Sequence, residues 1–310
     1  MGVVTTDILA LTVAGLKTEF DEAYNAVRNG VAMWPQIASE IPTTLPIQDY
    51  GFLGRGALME EFKDRARGQG VNQFNYQLAD KTYKGMLEIE RTALEDDQYS
   101  LLQMRVRDLA NEPHRHWNQL AFEGLALGFT SLCYDGQLFF DTDHSEGSSG
   151  TQSNRGTSAL SADALQTTET AMMLYVDDKG VPMEIVPDTL VVGPKNKQVA
   201  WELTQSEVVV NVRDTTSGRQ ATDYANYWQG RYNVVVSPYL RGTYDDYWFM
   251  LDTKKIVKPI VMQSRSDVPI TTETDMEDGA SLLAELFHFA VRGRYAQGFG
   301  LWQTAFGHIL

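Results

Sequence analysis

Asp141-Thr142-Asp143-His144, with Glu146 two residues further on, is the stretch of this chain whose side chains could hold a divalent ion. Carboxylate oxygens and an imidazole nitrogen are ordinary ligands for such ions. The spacing argues against it. It is not that of a zinc site, and the alternating ligands ending in a distant Glu that mark a calcium loop are missing. A polar loop without an ion is the favoured reading. The competing reading is a metal-dependent enzyme using Asp141, Asp143 and His144, which would bind an ion stoichiometrically and lose function on His144→Ala.

The other reactive side chains are no closer to a catalytic pattern. His114 and His116 stand two apart in a helical stretch and so point to different faces, which suits surface polarity or a core hydrogen bond. Cys133 is the single cysteine, which excludes an intrachain disulfide. Beside Tyr134, at the end of an apolar run, it reads as a buried, inert thiol. No nucleophile elbow, phosphate loop or dinucleotide fingerprint occurs, and Gly51, Gly54 and Gly56 follow prolines instead of a strand. No catalytic, cofactor-binding or metal-binding residue is therefore assigned, and no cofactor is expected. Arg55, Lys63, Arg65 and Arg67 form a basic run beside Glu60 and Glu61. A solvated face of mixed charge is the plain reading, and a contact to an acidic neighbouring subunit is the functional one.

The elements that must position these residues belong to an ordinary folded chain. Its 310 residues are 43% hydrophobic and 22% charged, enough for one large domain or two lobes. The formal charge of −15 weighs against tight wrapping of DNA, because affinity for phosphates comes from Lys and Arg. An acidic chain can still line a container of DNA without gripping it. No apolar run approaches the roughly 20 residues of a membrane span, and the start lacks a signal-peptide pattern. The expectation is a protein made in the cytoplasm, not secreted and not in a membrane.

Residues 5–29 carry Leu9, Val13, Leu16, Phe20, Tyr24 and Val27 at helical spacing, with Asn29-Gly30 as a stop. Residues 34–56, with Pro35, Pro42 and Pro46, read as an extended linker. A long hairpin is expected next: residues 72–78 alternate, residues 83–90 alternate, and Ala79-Asp80-Lys81-Thr82 makes the turn. Alone in water such a hairpin is marginal, so it needs a sheet or a neighbour. After Glu95-Asp96-Asp97 comes the longest helical segment, ending at Gly128 and kinked or split at Pro113. Residues 133–160 are the most loop-like part. A helix capped by Ser161 follows, then short strands at 189–192, 207–212, 232–236, 247–251 and 256–262, and a strand-like ending from 286 to 294. Leu190-Val191-Val192-Gly193-Pro194 reads as a buried strand with a sharp stop, followed by a short helix around Trp201.

The order of pieces resembles the major head subunit family of Mu-like tailed phages and prophages. The matching pieces are Tyr50-Gly51-Phe52-Leu53-Gly54, Glu88-Ile89-Glu90-Arg91, Leu94-Glu95-Asp96-Asp97, Asp135-Gly136-Gln137-Leu138-Phe139-Phe140, His144, Ser153-Asn154 and Pro187-Asp188-Thr189-Leu190-Val191-Val192. Gly193 departs from the pattern, where a second proline or a polar residue is expected.

The resemblance implies an α+β chain with the Hong Kong 97-type capsid fold. It implies an N-terminal arm (1–48), an extended loop hairpin (49–92), a peripheral domain with a long spine helix (93–184), an axial domain (185–260), and a return to the peripheral domain (261–310). It implies no enzymatic activity. The protein is then expected in the virion, assembled in the host cytoplasm from pentamers and hexamers of itself around packaged double-stranded DNA. A separate scaffold protein, a portal and a decoration protein are the expected partners. A small-ring adaptor or decoration protein is the remaining alternative. Phe74, Tyr76, Tyr83, Arg55, Arg65 and Arg67 are the residues expected at subunit contacts.

Overall fold

The computed structural model describes residues 6–30, 32–50, 76–90, 99–210, 223–266, 269–273 and 286–310. Arg55, Arg65, Arg67 and Phe74 lie outside these described residues.

A single helix, Tyr99–Leu127, joins the two halves of the core. Its 29 residues reach about 44 Å at 1.5 Å each. The helix runs through Pro113 as one element, so of the expected kink or split the split does not occur. Its first half buries Leu102, Val106, Leu109 and Ala110 with Leu16 and Phe20 of the helix Thr6–Gly30. Its second half buries Trp117, Ala121, Phe122 and Leu125 in the larger core. The i, i+3/i+4 spacing of both sets puts them on one side, and burial of that stripe is what holds a helix of this length to the sheets.

The first sheet is built on the strand Leu286–Phe299. Lys81–Glu90 pairs antiparallel along one edge, from Leu286↔Glu90 to Tyr295↔Lys81. Ile270–Glu273 and Ile260–Ser266 pair with it in turn, and Ala38–Pro42 adds in parallel to Ile260–Ser266. Pro42 closes an edge strand, where a missing N–H costs no ladder bond. Part of the stretch read as a linker is thus strand. The expected hairpin is also corrected: Gln77–Ala79 pairs with Ile47–Asp49, while Lys81–Glu90 belongs to the central sheet.

The second sheet runs in the order Asn233–Val236, Thr189–Val192, Trp248–Leu251, Ala305–His308, Arg155–Gly156. All four residues of Thr189–Val192 are buried. It lies parallel to one neighbour and antiparallel to the other, which accounts for its continuous apolar run. Two of its strands come from outside residues 185–260, so the expected axial unit shares its sheet with the 133–160 region and the C-terminal tail. The helix Ala162–Met173 starts as expected, with Ser161 Oγ accepting from Ala164 N at 3.3 Å.

Candidate functional site

The polar loop after the long helix folds inward. Cys133 N donates to Gln137 O at 2.8 Å, and Gly136 takes a φ of 84°, so the chain turns back tightly. The turn aims Asp135 at its own flanks. Oδ1 accepts from Cys133 Sγ at 2.9 Å and from Gln137 N at 3.0 Å. Oδ2 lies 2.6 Å from His144 Nδ1. His144 is fully buried and stacks flat on Trp302, with ring centroids 4.2 Å apart. Its Nε2 is 3.2 Å from Asn154 Oδ1. The Asn154 amide nitrogen donates to Phe139 O at 2.8 Å and to Trp302 O at 3.2 Å. A second buried carboxylate, Glu146, accepts from Tyr134 Oη at 2.5 Å, Trp302 Nε1 at 2.8 Å and Gln303 Nε2 at 3.2 Å.

The electrostatics follow from these contacts. Burial alone would raise the Asp135 carboxyl. Hydrogen bonds from His144, Cys133 and Gln137, with the attraction of His144, outweigh it and hold the group below the ordinary carboxylate value. Burial, and then the Asp135 charge, push the Cys133 thiol far up, so it stays protonated. A protonated thiol is a poor nucleophile.

The candidate metal cluster is therefore corrected. Asp141 Oδ1 accepts from Thr142 N at 2.7 Å, and Asp143 faces solvent. Neither converges on His144. Among the described residues, the atoms that do converge are those of Cys133, Asp135 and His144, all within 4.8 Å of one another. Cys133 and His144 both lie within hydrogen-bond distance of the central Asp135 carboxylate. Asp135 and Asn154 are the residues that reasoning from reactive types missed. Their signal was their place in the family-like pieces. His114 and His116 take structural roles: His114 Nε2 meets Tyr24 O at 3.0 Å, and His116 Nδ1 meets Tyr295 Oη at 2.7 Å.

The expected contact loop is anchored by its base. Tyr50 N donates to Tyr76 O at 2.7 Å, beside the ladder of Ile47–Asp49 with Gln77–Ala79. Tyr76 Oη accepts from Phe299 N at 3.1 Å, and Asp80 pairs with Arg265 at 3.2 Å and Arg294 at 3.1 Å. Tyr83 stacks on Tyr295 at 4.6 Å and meets His116 edge-on at 4.4 Å. Tyr76 and Tyr83 are thus half-buried against their own chain. Leu45 and Ile47 at the base, and Met86 on the adjoining strand, are more than half exposed at 54%, 53% and 53%. Exposed apolar side chains such as these are what an assembly surface requires.

The family described as Mu-like prophage major head subunit gpT matches residues 9–162, 155–240 and 241–309, nearly the whole chain. The chain belongs to the Mu-like prophage major head subunit family. A head subunit is a structural component of the virion capsid, and the polar centre just described is its internal fastening. The chain is 22% identical to the Mu-like prophage FluMu major head subunit of Haemophilus influenzae over 98% of its length and 74% of that protein. It is 22% identical to the major capsid protein of Escherichia phage Mu over 88% of its length, spanning 65% of that protein. The procapsid of bacteriophage JBD30 superimposes with a TM-score of 0.56 at 23% identity, covering 96% of this chain and 75% of that one. The fold is the tailed-phage capsid fold of Hong Kong 97 type. Among the described residues, no helix is long and apolar enough to cross a membrane.

Proposed function

We propose that copies of this chain form pentamers and hexamers that tile an icosahedral head enclosing double-stranded DNA. Family membership across residues 9–309 carries this reading. The charge of −15 fits a wall that holds DNA without gripping it. The reading includes no catalytic step, and membership of a structural head-subunit family supports that. The division into arm (1–48), extended loop (49–92), peripheral domain (93–184 and 261–310) and axial domain (185–260) stands as the working description. Lys81–Glu90 is grouped with the peripheral sheet on the strength of its pairing with Leu286–Tyr295.

Arg55, Arg65, Arg67 and Phe74 are proposed to touch a neighbouring subunit directly. Tyr76 and Tyr83 are proposed to serve that contact by bracing the loop base. A separate scaffold protein, a portal and a decoration protein complete the proposed partners, with assembly in the host cytoplasm. Negative-stain microscopy and sedimentation of protein co-expressed with the neighbouring head genes test the reading. Closed shells support it. Small rings of one fixed size would favour an adaptor, and monomers under every condition would refute it.

A further inference from the structure

We propose that residues 61–67 of a neighbouring copy add as a parallel strand to the open edge of Lys81–Glu90, with Phe62 filling a hollow beside Gly85. The proposal rests on the reading that copies of this chain pack against one another, and it names the surface that receives the basic run at 55–67. Lys81–Glu90 is 10 residues long and pairs with Leu286–Phe299 without a register shift. Among the described residues, nothing pairs with its other edge. A long, regular edge strand carries a row of outward N–H and C=O groups, which is a template for an added strand.

Beside that edge lies a hollow of about 290 Å³, lined by Tyr83, Gly85, Pro113, His116, Val291 and Tyr295. Gly85 faces the long helix, since a methyl built on it would meet Val291 Cγ2 at 3.0 Å and Leu109 Cδ1 at 3.5 Å. The missing side chain leaves a gap among aromatic rings, and an aromatic residue on an adjoining strand is the ordinary way to cover a strand glycine. The other face of the strand sets the register. Lys84, Met86, Glu88 and Glu90 are exposed there at alternate positions. Residues 61–67 read Glu61-Phe62-Lys63-Asp64-Arg65-Ala66-Arg67. Laid parallel with Phe62 opposite Gly85, Glu61 falls opposite Lys84, Arg65 opposite Glu88 and Arg67 opposite Glu90. Opposite charges directly across a ladder are favourable. The Lys63 stem lies along Met86, while Asp64 falls opposite Leu87 and gains no ion pair. An antiparallel strand would set Lys63 against Lys84 and carry both arginines away from the glutamates. A slip of one residue would turn Phe62 to the wrong face.

Reach makes the occupant a second copy. Tyr76 Oη accepts from Phe299 N, four residues beyond Tyr295, the partner of Lys81. On a single chain, the return from Arg67 to Tyr76 would have to run the length of Lys81–Glu90, about 31 Å at 3.4 Å per residue, and then continue past Tyr295. The nine steps from Arg67 to Tyr76 reach only about 31 Å when fully extended.

The test uses particles from co-expression with the neighbouring head genes. Glu88→Arg and Arg65→Glu should each cut the closed-shell yield in sedimentation about tenfold, and the two together should restore most of it. Single variants that assemble as well as wild type, or a pair no better than the singles, would overturn the edge contact and leave the shell reading intact. A wild type that forms no shells would overturn that reading and the proposal with it. In a second measurement, oxidised particles of a chain carrying both Arg65→Cys and Glu88→Cys should give ladders of disulfide-linked chains under denaturing electrophoresis, the native Cys133 being buried. Uncrosslinked chains, or monomers closed by an internal disulfide, would overturn the proposal.

Discussion

His308 provides an acid-side prediction that can be worked through in numbers. It sits in the last strand of the second sheet, stacked on Trp248 with centroids 3.9 Å apart. Thr168 Oγ1 donates to Ala164 O at 2.8 Å, so it can only accept from His308 Nε2, 2.9 Å away. His308 Nδ1 accepts from Ser158 N at 3.3 Å. The ring is therefore neutral with both nitrogens spoken for, and a second proton would point at an N–H. Burial lowers the imidazole from 6.5 to about 4. A folded value below the unfolded one means stability that is present above pH 6.5 and lost as pH falls toward 4.

A depression of about 2.5 units at 1.36 kcal/mol each is about 3 kcal/mol. Between pH 7 and 4.5 most of this is lost, so urea denaturation at pH 7, 5.5 and 4.5 should show wild type losing about 2.4 kcal/mol more than His308→Gln. The variant starts weaker at pH 7, having lost the stacked ring, but has the shallower slope. Equal slopes in the two proteins would refute the reasoning, because other carboxylates contribute equally to both.

Three further outcomes are expected. Glu146→Ala strands the donors on Tyr134, Trp302 and Gln303 and should cost about 3 kcal/mol in denaturant titration. Gly298→Ala places a methyl inside contact distance of Leu78 Cδ1, so the Leu78 side chain must turn away. It should cost about 1–2 kcal/mol, with Leu78→Ala on the same chain restoring most of it in a thermal scan. Removing residues 51–75 and joining Tyr50 to Tyr76 through a short glycine linker should leave a folded, soluble protein that makes no closed shells by microscopy. Removing residues 72–90 instead should unfold the chain, since Lys81–Glu90 is a strand of the central sheet.

The periodic elements were legible in the sequence, and their partners were not. The helix spacing of Leu16 and Phe20, the Ser161 cap and the apolar run 189–192 each report a local constraint, and each reappears in the fold. Pairing of Lys81–Glu90 with a strand some two hundred residues away leaves no local trace, so alternation on either side of a turn-like tetrapeptide looked like a hairpin. Pro42 argued for an extended linker because a proline disfavours helix before it, but an extended chain can also be an edge strand, where the missing N–H costs nothing. Pro113 argued for a kink or a break, but packing along both halves of the helix kept it one element. The site was legible in part. His144 was singled out as a possible ligand beside Asp141 and Asp143, but its partner is Asp135, nine residues back across a glycine turn. Polar, glycine-rich composition marks a loop whether its side chains face water or, as here, each other.

The central claim is that this chain is a shell subunit, and electron cryomicroscopy of particles from co-expression with the neighbouring head genes tests it most directly. The account predicts closed icosahedral shells whose repeating density fits this fold, with residues 51–75 lying against the adjacent copy. Particles containing this chain only as a minor ring or an outer layer, or no particles at all, would contradict it.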